Sequence, residues 1–229
     1  MIDDALKLLK QDDKVGAIRL FSSMLKKNTL NPDEAAKYYL PLLFERSDKQ
    51  SLSMAVKLSD ALLKHTGVTG DCRDQVNFEY GSYLFFAHVD IDKGLSLLIE
   101  ASRSCSDACV QLSKIYKNGL HCEVDYAESL HWLDKAMELG SIDPCIYVLK
   151  GDLFYSGGDS IFSTDIPRDL AKAEECWIKA NELGADVTER LVNLKLTECV
   201  DLLGIDMDAS YVSLLESIKL AKRYLNLKL

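Results

Sequence analysis

DIDKGLSLLIEA, from Asp90 to Ala101, returns in this chain as DYAESLHWLDKA, from Asp125 to Ala136, and as DLAKAEECWIKA, from Asp169 to Ala180. Each copy begins with Asp, has a small residue at its fifth position and ends with Ala. The apolar residues of each copy return to one side of a helix with 3.6 residues per turn, and the charged fourth and eleventh residues face away. Internal repetition of this kind indicates stacked helices.

A second, looser pattern precedes each copy. Its three segments are YGSYLFFA (80–87), LSKIYKNG (112–119) and KGDLFYSG (150–157). We expect these segments to be first helices that end at Gly119 and Gly157, because glycine tolerates the left-handed conformation that terminates a helix. Gly140 and Gly184 are expected to end the second helices in the same way. The predicted unit is therefore first helix, loop, second helix and glycine.

This order of residues resembles the Sel1-like repeat, a relative of the tetratricopeptide repeat. The resemblance is good over residues 106–184 and fair over 73–104. It implies an all-α fold, a right-handed α-solenoid of about six antiparallel helix pairs. Ser113 departs from the pattern, since the family prefers Gly there, and we expect the change to loosen the packing of the two helices.

One continuous domain, 1–229, is expected because no Pro-rich or Ser-rich linker interrupts the chain. Residues 1–70 are predicted to form divergent helix pairs like those of tetratricopeptide repeats, 73–184 three Sel1-like repeats, and 185–229 C-terminal capping helices. Within 1–70, Asn31 and Glu34 form the pattern of a capping box, and the helix that follows is expected to bend near Pro41.

The C-terminal segment is predicted to form two helices, 186–203 and 208–227, with a break at Gly204. The last helix is expected to cover the final repeat, as the end of a solenoid requires. Its predicted inward face consists of Tyr211, Leu214, Leu215, Ile218, Ala221 and Leu225. The long loop from Gly158 to Arg168 is expected to lie on one face of the array.

The net charge of −9 argues against nucleic acid or an anionic membrane surface as the partner, because no basic run could release counterions. Basic or apolar protein segments are the electrostatically favoured partners. No apolar stretch is long enough to span a bilayer, so no membrane insertion is expected. The first residues, Met1 to Asp4, resemble neither a secretory leader nor a mitochondrial presequence, and the expected location is cytoplasmic or nuclear.

The sequence lacks the motifs that are typical of catalytic and metal-binding sites. It contains no phosphate-binding glycine loop, nucleophile motif or paired zinc ligands, so we expect no enzyme activity, no cofactor and no metal. The Asp that begins each copy is interpreted as a helix N-cap rather than as part of a carboxylate array.

The seven cysteines allow a different interpretation, because cysteine-rich members of the resembling family pair a cysteine after the final Ala with one near the start of a first helix. Ser102, Met137 and Asn181 occupy that position here. The odd count and scattered spacing therefore favour reduced thiols.

The predicted function is a non-catalytic scaffold or adaptor that binds a protein or peptide partner. The resemblance implies that first helices line the concave binding surface. The predicted contact residues are Glu79, Ser82, Phe85, Gln111, Lys114, Lys117, Asp152 and Tyr155. Phe85 and Tyr155 are expected to be exposed anchors, because their equivalent in the middle unit is Lys117, a residue that a buried position rarely accepts.

Two other functions remain open from the sequence. One is a stable regulatory subunit or assembly factor that permanently holds an enzyme, through a larger and more apolar interface. The other is a thiol-redox or cofactor-handling protein like the cysteine-rich relatives.

Overall fold

The computed structural model describes residues 1–46, 48–157, 166–202 and 207–228, and these residues form helices without a strand. The helices are α1 (Ile2–Lys10), α2 (Lys14–Lys26), α3 (Pro32–Glu34), a π-helical turn (Ala35–Tyr39), α4 (Leu40–Arg46), α5 (Lys49–Lys64), α6 (Gly70–Phe86), α7 (Ile91–Ala101), α8 (Ser106–Asn118), α9 (Tyr126–Glu138), α10 (Pro144–Ser156), α11 (Leu170–Glu182), α12 (Thr188–Leu202) and α13 (Met207–Lys228). Neighbouring helices pack as pairs, notably α6 with α7, α10 with α11 and α12 with α13. The predicted all-α, helix-pair fold is confirmed.

Two compact units divide the chain, Met1–Gln111 and Leu112–Leu229, and the boundary falls inside α8. In the first unit, helices α1, α2, α4, α5 and α6 and the π-helical turn contribute to an apolar core that contains the fully buried Phe21 and Tyr39. In the second unit, α11 and α12 form a core that contains Trp177. The predicted division into 1–70, 73–184 and 185–229 stays a prediction.

The Asp that begins each repeated segment is a helix N-cap, as predicted. Asp90, Asp125 and Asp169 each accept a hydrogen bond from the backbone N–H three residues later, at 3.0, 2.7 and 3.0 Å. Their own backbone N–H groups donate to a carbonyl near the end of the preceding helix, at 3.2, 3.0 and 2.9 Å; those carbonyls belong to Leu84, Tyr116 and Phe154. The same polar contacts thus join the two helices of all three predicted repeats.

Small residues lie where the two helices of a pair approach closely. A Cβ added to Gly94 would stand 2.7 Å from the backbone nitrogen of Phe85, and one added to Gly81 would stand 3.0 Å from the carbonyl oxygen of Gly94. A Cβ at Gly151 would overlap the indole of Trp177. A larger residue at these positions would push the helices apart.

Ser113, expected to loosen its helix pair, does not do so. Its side chain is fully buried, as is that of Ser129, and the two hydroxyls are joined by a hydrogen bond of 2.8 Å. The second repeat therefore uses a polar contact between α8 and α9 where the first uses glycines.

The glycines that end the helices act in two ways. Gly119, Gly140 and Gly184 have φ angles of +62°, +82° and +96°, as predicted for left-handed helix ends. The prediction for Gly157 is wrong, because this residue is extended, with φ −60° and ψ 147°. Glycine is needed there for a close approach, since an added Cβ would stand 2.6 Å from the carbonyl oxygen of Ile166.

The predicted start of α3 is confirmed. The side chain of Asn31 accepts a hydrogen bond from the backbone of Asp33, and the carboxylate of Glu34 accepts one from the backbone of Asn31. A π-helical turn then immediately precedes the segment that contains Pro41. Proline removes a backbone donor and crowds the carbonyl four residues earlier, and a wider turn before it accommodates both effects.

The predicted inward face of α13 is wrong for Tyr211, Leu214, Leu215 and Ile218. Among the side chains of α13 that the structure describes, Ser213 and Ser217 are buried, whereas Tyr211 is 62% exposed and Ile218 is 42% exposed. The Ser213 hydroxyl donates to the carbonyl oxygen of Lys195 at 2.6 Å, so small residues whose hydroxyls find backbone acceptors form the contact with α12. Side chains of this size let two helices pack closely, and the larger apolar side chains are left outside.

Several predictions lie outside the described residues. They concern the loop positions 158–165, the break at Gly204, and the side chains of Ala221 and Leu225.

Candidate functional site

A groove of about 340 Å³ lies on the second unit, along the first helices α8, α10 and α12. Three predicted contact residues line it together, namely Lys117 from α8 and Asp152 and Tyr155 from α10. Its other lining residues are Ser156, Trp177, Glu189, Arg190 and Asn193. These residues come together because the successive first helices α8, α10 and α12 all contribute to this surface. We refer to this site as the first-helix groove.

Asp152 is the centre of the polar contacts in the groove. Its carboxylate oxygens lie 3.0 Å from the Lys117 Nζ, 2.7 Å from the Arg190 Nε and 3.2 Å from the Trp177 Nε1. A further Arg190 nitrogen, Nη2, lies 3.3 Å from the Oδ2 of Asp152. This one carboxylate therefore links residues of α8, α10, α11 and α12.

These contacts shift the pKa values of Asp152 and Arg190. Burial alone would raise the pKa of Asp152, but the hydrogen bond from Arg190 and the positive charge of Lys117 outweigh it, so the pKa lies below its usual value. The hydrogen bond to Asp152 in turn raises the pKa of Arg190. Asp152 and Arg190 are therefore both charged at neutral pH.

Tyr155 is a half-buried ring held in place on one wall of the groove. Its centroid is 5.5 Å from that of Trp177, and its hydroxyl is 2.8 Å from Thr197 Oγ1. The Thr197 hydroxyl donates its hydrogen to the carbonyl of Asn193, so the Tyr155 hydroxyl is the donor in its bond with Thr197. The guanidinium of Arg168 lies over the ring, 6.0 Å from its centroid.

The other predicted polar contacts are not gathered at the groove. Gln111 and Lys114 are half-buried on α8. Glu79 is half-buried on α6 and accepts a hydrogen bond from Gln75 at 2.9 Å, and burial raises its pKa. The hydroxyl of Ser82 is buried without a hydrogen-bond partner among the described residues.

The prediction that Phe85 is an exposed anchor is wrong, since its side chain is 1% exposed. Phe85 lies where α7 crosses α6, since a Cβ added to Gly94 would stand 2.9 Å from the Cβ of Phe85. The comparison with Lys117 misled the prediction, since the Lys117 side chain is itself only 20% exposed. Its charge is tolerated there because Lys117 forms an ion pair with Asp152 at 3.0 Å.

Arg190 and Asn193 are lining residues that the sequence interpretation missed. Both lie on α12, beyond the last repeated segment, where no equivalent position exists for comparison. Trp177 is one of the apolar residues of the third repeated segment, which are expected to face one side of the helix. Its buried ring does pack in the core, but its indole N–H also donates to Asp152.

A larger groove of about 820 Å³ lies between α10 and α11. It is lined by Tyr147, Lys150, Phe154, Ala171, Lys172, Glu174, Glu175, Cys176, Ile178, Lys179 and Glu182. Each of its lysines has a carboxylate of its own, since Lys150 pairs with Asp134, Lys172 with Asp169 and Lys179 with Glu182.

Three further features were sought in the described part of the chain: a metal site, a membrane-spanning helix and disulfides. No group of three or more His, Cys, Asp or Glu side chains there could hold a metal ion. None of the helices described is long and apolar enough to cross a membrane. No disulfide joins the seven cysteines, all of which lie among the described residues, and burial raises the pKa values of Cys105, Cys122 and Cys176.

Comparison with known families identifies the class of repeat. The Sel1 repeat model matches two segments of the chain, residues 106–141 and 151–184. The resemblance deduced from the sequence is thereby confirmed. Sel1 repeats are generally protein–protein interaction modules.

A solved structure has a similar fold. The chain is similar to the crystal structure of a Sel1 repeat protein from Oxalobacter formigenes, with a TM-score of 0.63 and 18% sequence identity. The similarity covers 98% of this chain and 84% of that chain, and at this identity it establishes the fold alone. A search of curated proteins found no match.

Proposed function

We propose that this protein is a non-catalytic scaffold or adaptor that holds a partner protein in the first-helix groove. The observation that carries the proposal is the convergence of Lys117, Asp152 and Tyr155, from two successive first helices, on one groove.

The groove has features typical of a protein-binding surface. Tyr155 supplies a ring fixed by Trp177 and Thr197, so little rotamer entropy is lost when a ligand covers it. Arg190, 41% exposed, supplies a planar donor group held by Asp152. Aromatic and arginine side chains of this kind contribute most of the binding energy in many interfaces.

A stable regulatory subunit or assembly factor is the second candidate function. The observation that favours it is the row of exposed apolar residues on α12 and α13. This row consists of Leu196, Val200, Tyr211, Val212, Leu214, Leu215 and Ile218. Permanent interfaces are larger and more apolar than transient ones, so a permanently bound enzyme would cover such a row.

A bulky substitution in each groove tests which of the two surfaces binds the partner. Asn193→Trp places a large ring at an exposed position in the first-helix groove, and Glu175→Trp does the same in the groove between α10 and α11. Proteins retained from an extract of the source cells are compared for the parent and both variants, after circular dichroism has shown equal helical content. The proposal requires that Asn193→Trp loses the partner and that Glu175→Trp keeps it.

Other outcomes assign the binding elsewhere. Loss with Glu175→Trp alone would place the partner on the larger groove. Retention by both variants, together with loss on Val200→Glu, would favour the permanent complex through α12 and α13.

A further inference from the structure

We propose that the first-helix groove takes an acidic segment of the partner, whose carboxylate accepts hydrogen bonds from Lys117 and Arg190. This inference rests on the proposed function and specifies its ligand. It differs from the expectation drawn from the net charge, which favours basic or apolar segments, because the local arrangement of donors decides what fits the groove.

The two cations that bind Asp152 have more donors than this carboxylate can accept from. A carboxylate accepts about four hydrogen bonds, and Asp152 already receives four, from Lys117, Trp177 and two Arg190 nitrogens. An ammonium group has about three N–H donors and a guanidinium about five. In the described part of the chain Lys117 and Arg190 donate to Asp152 alone, so both retain donors that Asp152 cannot satisfy.

Around Asp152 the charge also favours an anion, although Glu189 brings the formal charge of the whole lining to zero. Lys117 and Arg190 share one carboxylate, whereas each lysine of the larger groove has its own. Glu189 is the remaining acid in the lining, and it forms no ion pair with either cation among the described residues. Its side chain is exposed, and its negative charge contributes to the raised pKa of Arg190.

The position of the donors favours a protein side chain as the occupant. Lys117 is 20% exposed and Arg190 41% exposed, so a carboxylate can reach both cations only by entering the groove. The Tyr155 ring lines the same groove and would contact the methylene groups of a Glu or Asp side chain. Charge-assisted hydrogen bonds in such a partly desolvated position are stronger than those on an open surface.

The test uses the two tryptophans as internal reporters. The Trp177 indole N–H donates to Asp152, whereas Trp132 lies on α9 and does not line the groove. Nitrogen-15 NMR spectra of the full chain are recorded during titration with capped tetraglutamate, tetraglutamine and tetralysine peptides. The indole signals are assigned with Trp132→Phe.

We expect tetraglutamate to shift the Trp177 signal with saturation and to leave the Trp132 signal in place. Lys117→Gln should weaken this binding by about tenfold, since it removes one charge-assisted bond. Lys179→Gln is the matched control, because it removes one positive charge from an exposed position outside the groove, and it should leave the affinity unchanged. Glu189→Gln, at an exposed position, should strengthen the binding by removing a repulsive charge.

Three results would overturn the inference. In the first, tetralysine shifts Trp177 while tetraglutamate does not, which rejects the acidic ligand but keeps the groove. In the second, Lys179→Gln weakens tetraglutamate binding as much as Lys117→Gln does, which indicates unspecific attraction. In the third, none of the peptides shifts Trp177. Partner capture by the Asn193→Trp variant tests the groove independently, so failure of the ligand and failure of the proposed function remain distinguishable.

Discussion

The hydroxyls of Ser113 and Ser129 lie 2.8 Å apart in the fully buried contact between α8 and α9. The Ser129 hydroxyl also lies 3.0 Å from the backbone carbonyl of Ser113, to which it can donate. The same place in the first repeat is occupied by Gly81 and Gly94, whose backbones approach directly. The two repeats therefore solve one packing problem differently, and the polar solution makes the two serines unequal.

The first prediction is that Ser129→Ala destabilises the protein more than Ser113→Ala. Removal of Ser129 leaves the buried Ser113 hydroxyl without its partner, at a cost of about 1–3 kcal/mol. Removal of Ser113 leaves Ser129 with its carbonyl acceptor, so the cost should be below about 1 kcal/mol. Urea unfolding of the two variants and of the double variant measures the difference. Equal costs, or no coupling in the double-mutant cycle, would contradict the described hydrogen bonds.

The second prediction concerns the alanines that end the repeated segments. Ala136 and Ala180 are fully buried, so replacement by Leu should overpack the helix contacts and cost about 1–3 kcal/mol. Ala127 and Ala171 are exposed on the same helices, α9 and α11, and their replacement by Leu serves as the control. Thermal melts should separate the two sets, and equal melting temperatures would show that the alanines do not lie at the contacts.

The third prediction uses two adjacent phenylalanines with different exposure. Phe85 is buried, so Phe85→Ala should destabilise the fold by about 3–5 kcal/mol. Phe86 is 43% exposed, so Phe86→Ala should lower the stability much less. Denaturant unfolding of both variants checks the order. A stable Phe85→Ala variant would restore the original expectation of an exposed anchor.

The fourth prediction concerns the pH dependence of Asp152. Its folded-state pKa is lowered, so its contribution to stability is present above the unfolded-state pKa and is lost as the pH falls through the folded-state pKa. Asp152→Asn should therefore cost about 1–3 kcal/mol at neutral pH, and the difference from the parent should shrink in acid below about pH 4. Glu175→Gln, which removes an exposed carboxylate, is the control. A difference that does not depend on pH would argue against the ion pairs of Asp152.

The repeated parts of the fold could be predicted from the sequence, because the pattern reports local requirements. An Asp before an apolar helix caps it, as Asp90, Asp125 and Asp169 do. Three copies of the same pattern make the assignment redundant. Left-handed glycines such as Gly140 are predictable for the same reason, since the requirement lies in one residue's own backbone.

Tertiary contacts account for the predictions that failed. The burial of Phe85 depends on the space above Gly94, and the burial of Lys117 depends on Asp152, 35 positions further along the chain. The face that α13 buries depends on small serines that bond to backbone carbonyls, which hydrophobic periodicity does not detect. Arg190 lies outside the repeated segments, so no comparison between repeats could assign it to the groove.

The claim that the first-helix groove binds the partner is tested most directly by photo-crosslinking. A benzophenone amino acid is placed at position 193 in the groove and, in a second variant, at position 175 in the larger groove, both exposed positions. The partner captured by the parent protein is then irradiated with each variant. We predict a crosslink from position 193 and none from position 175. A crosslink from position 175 alone would contradict the account.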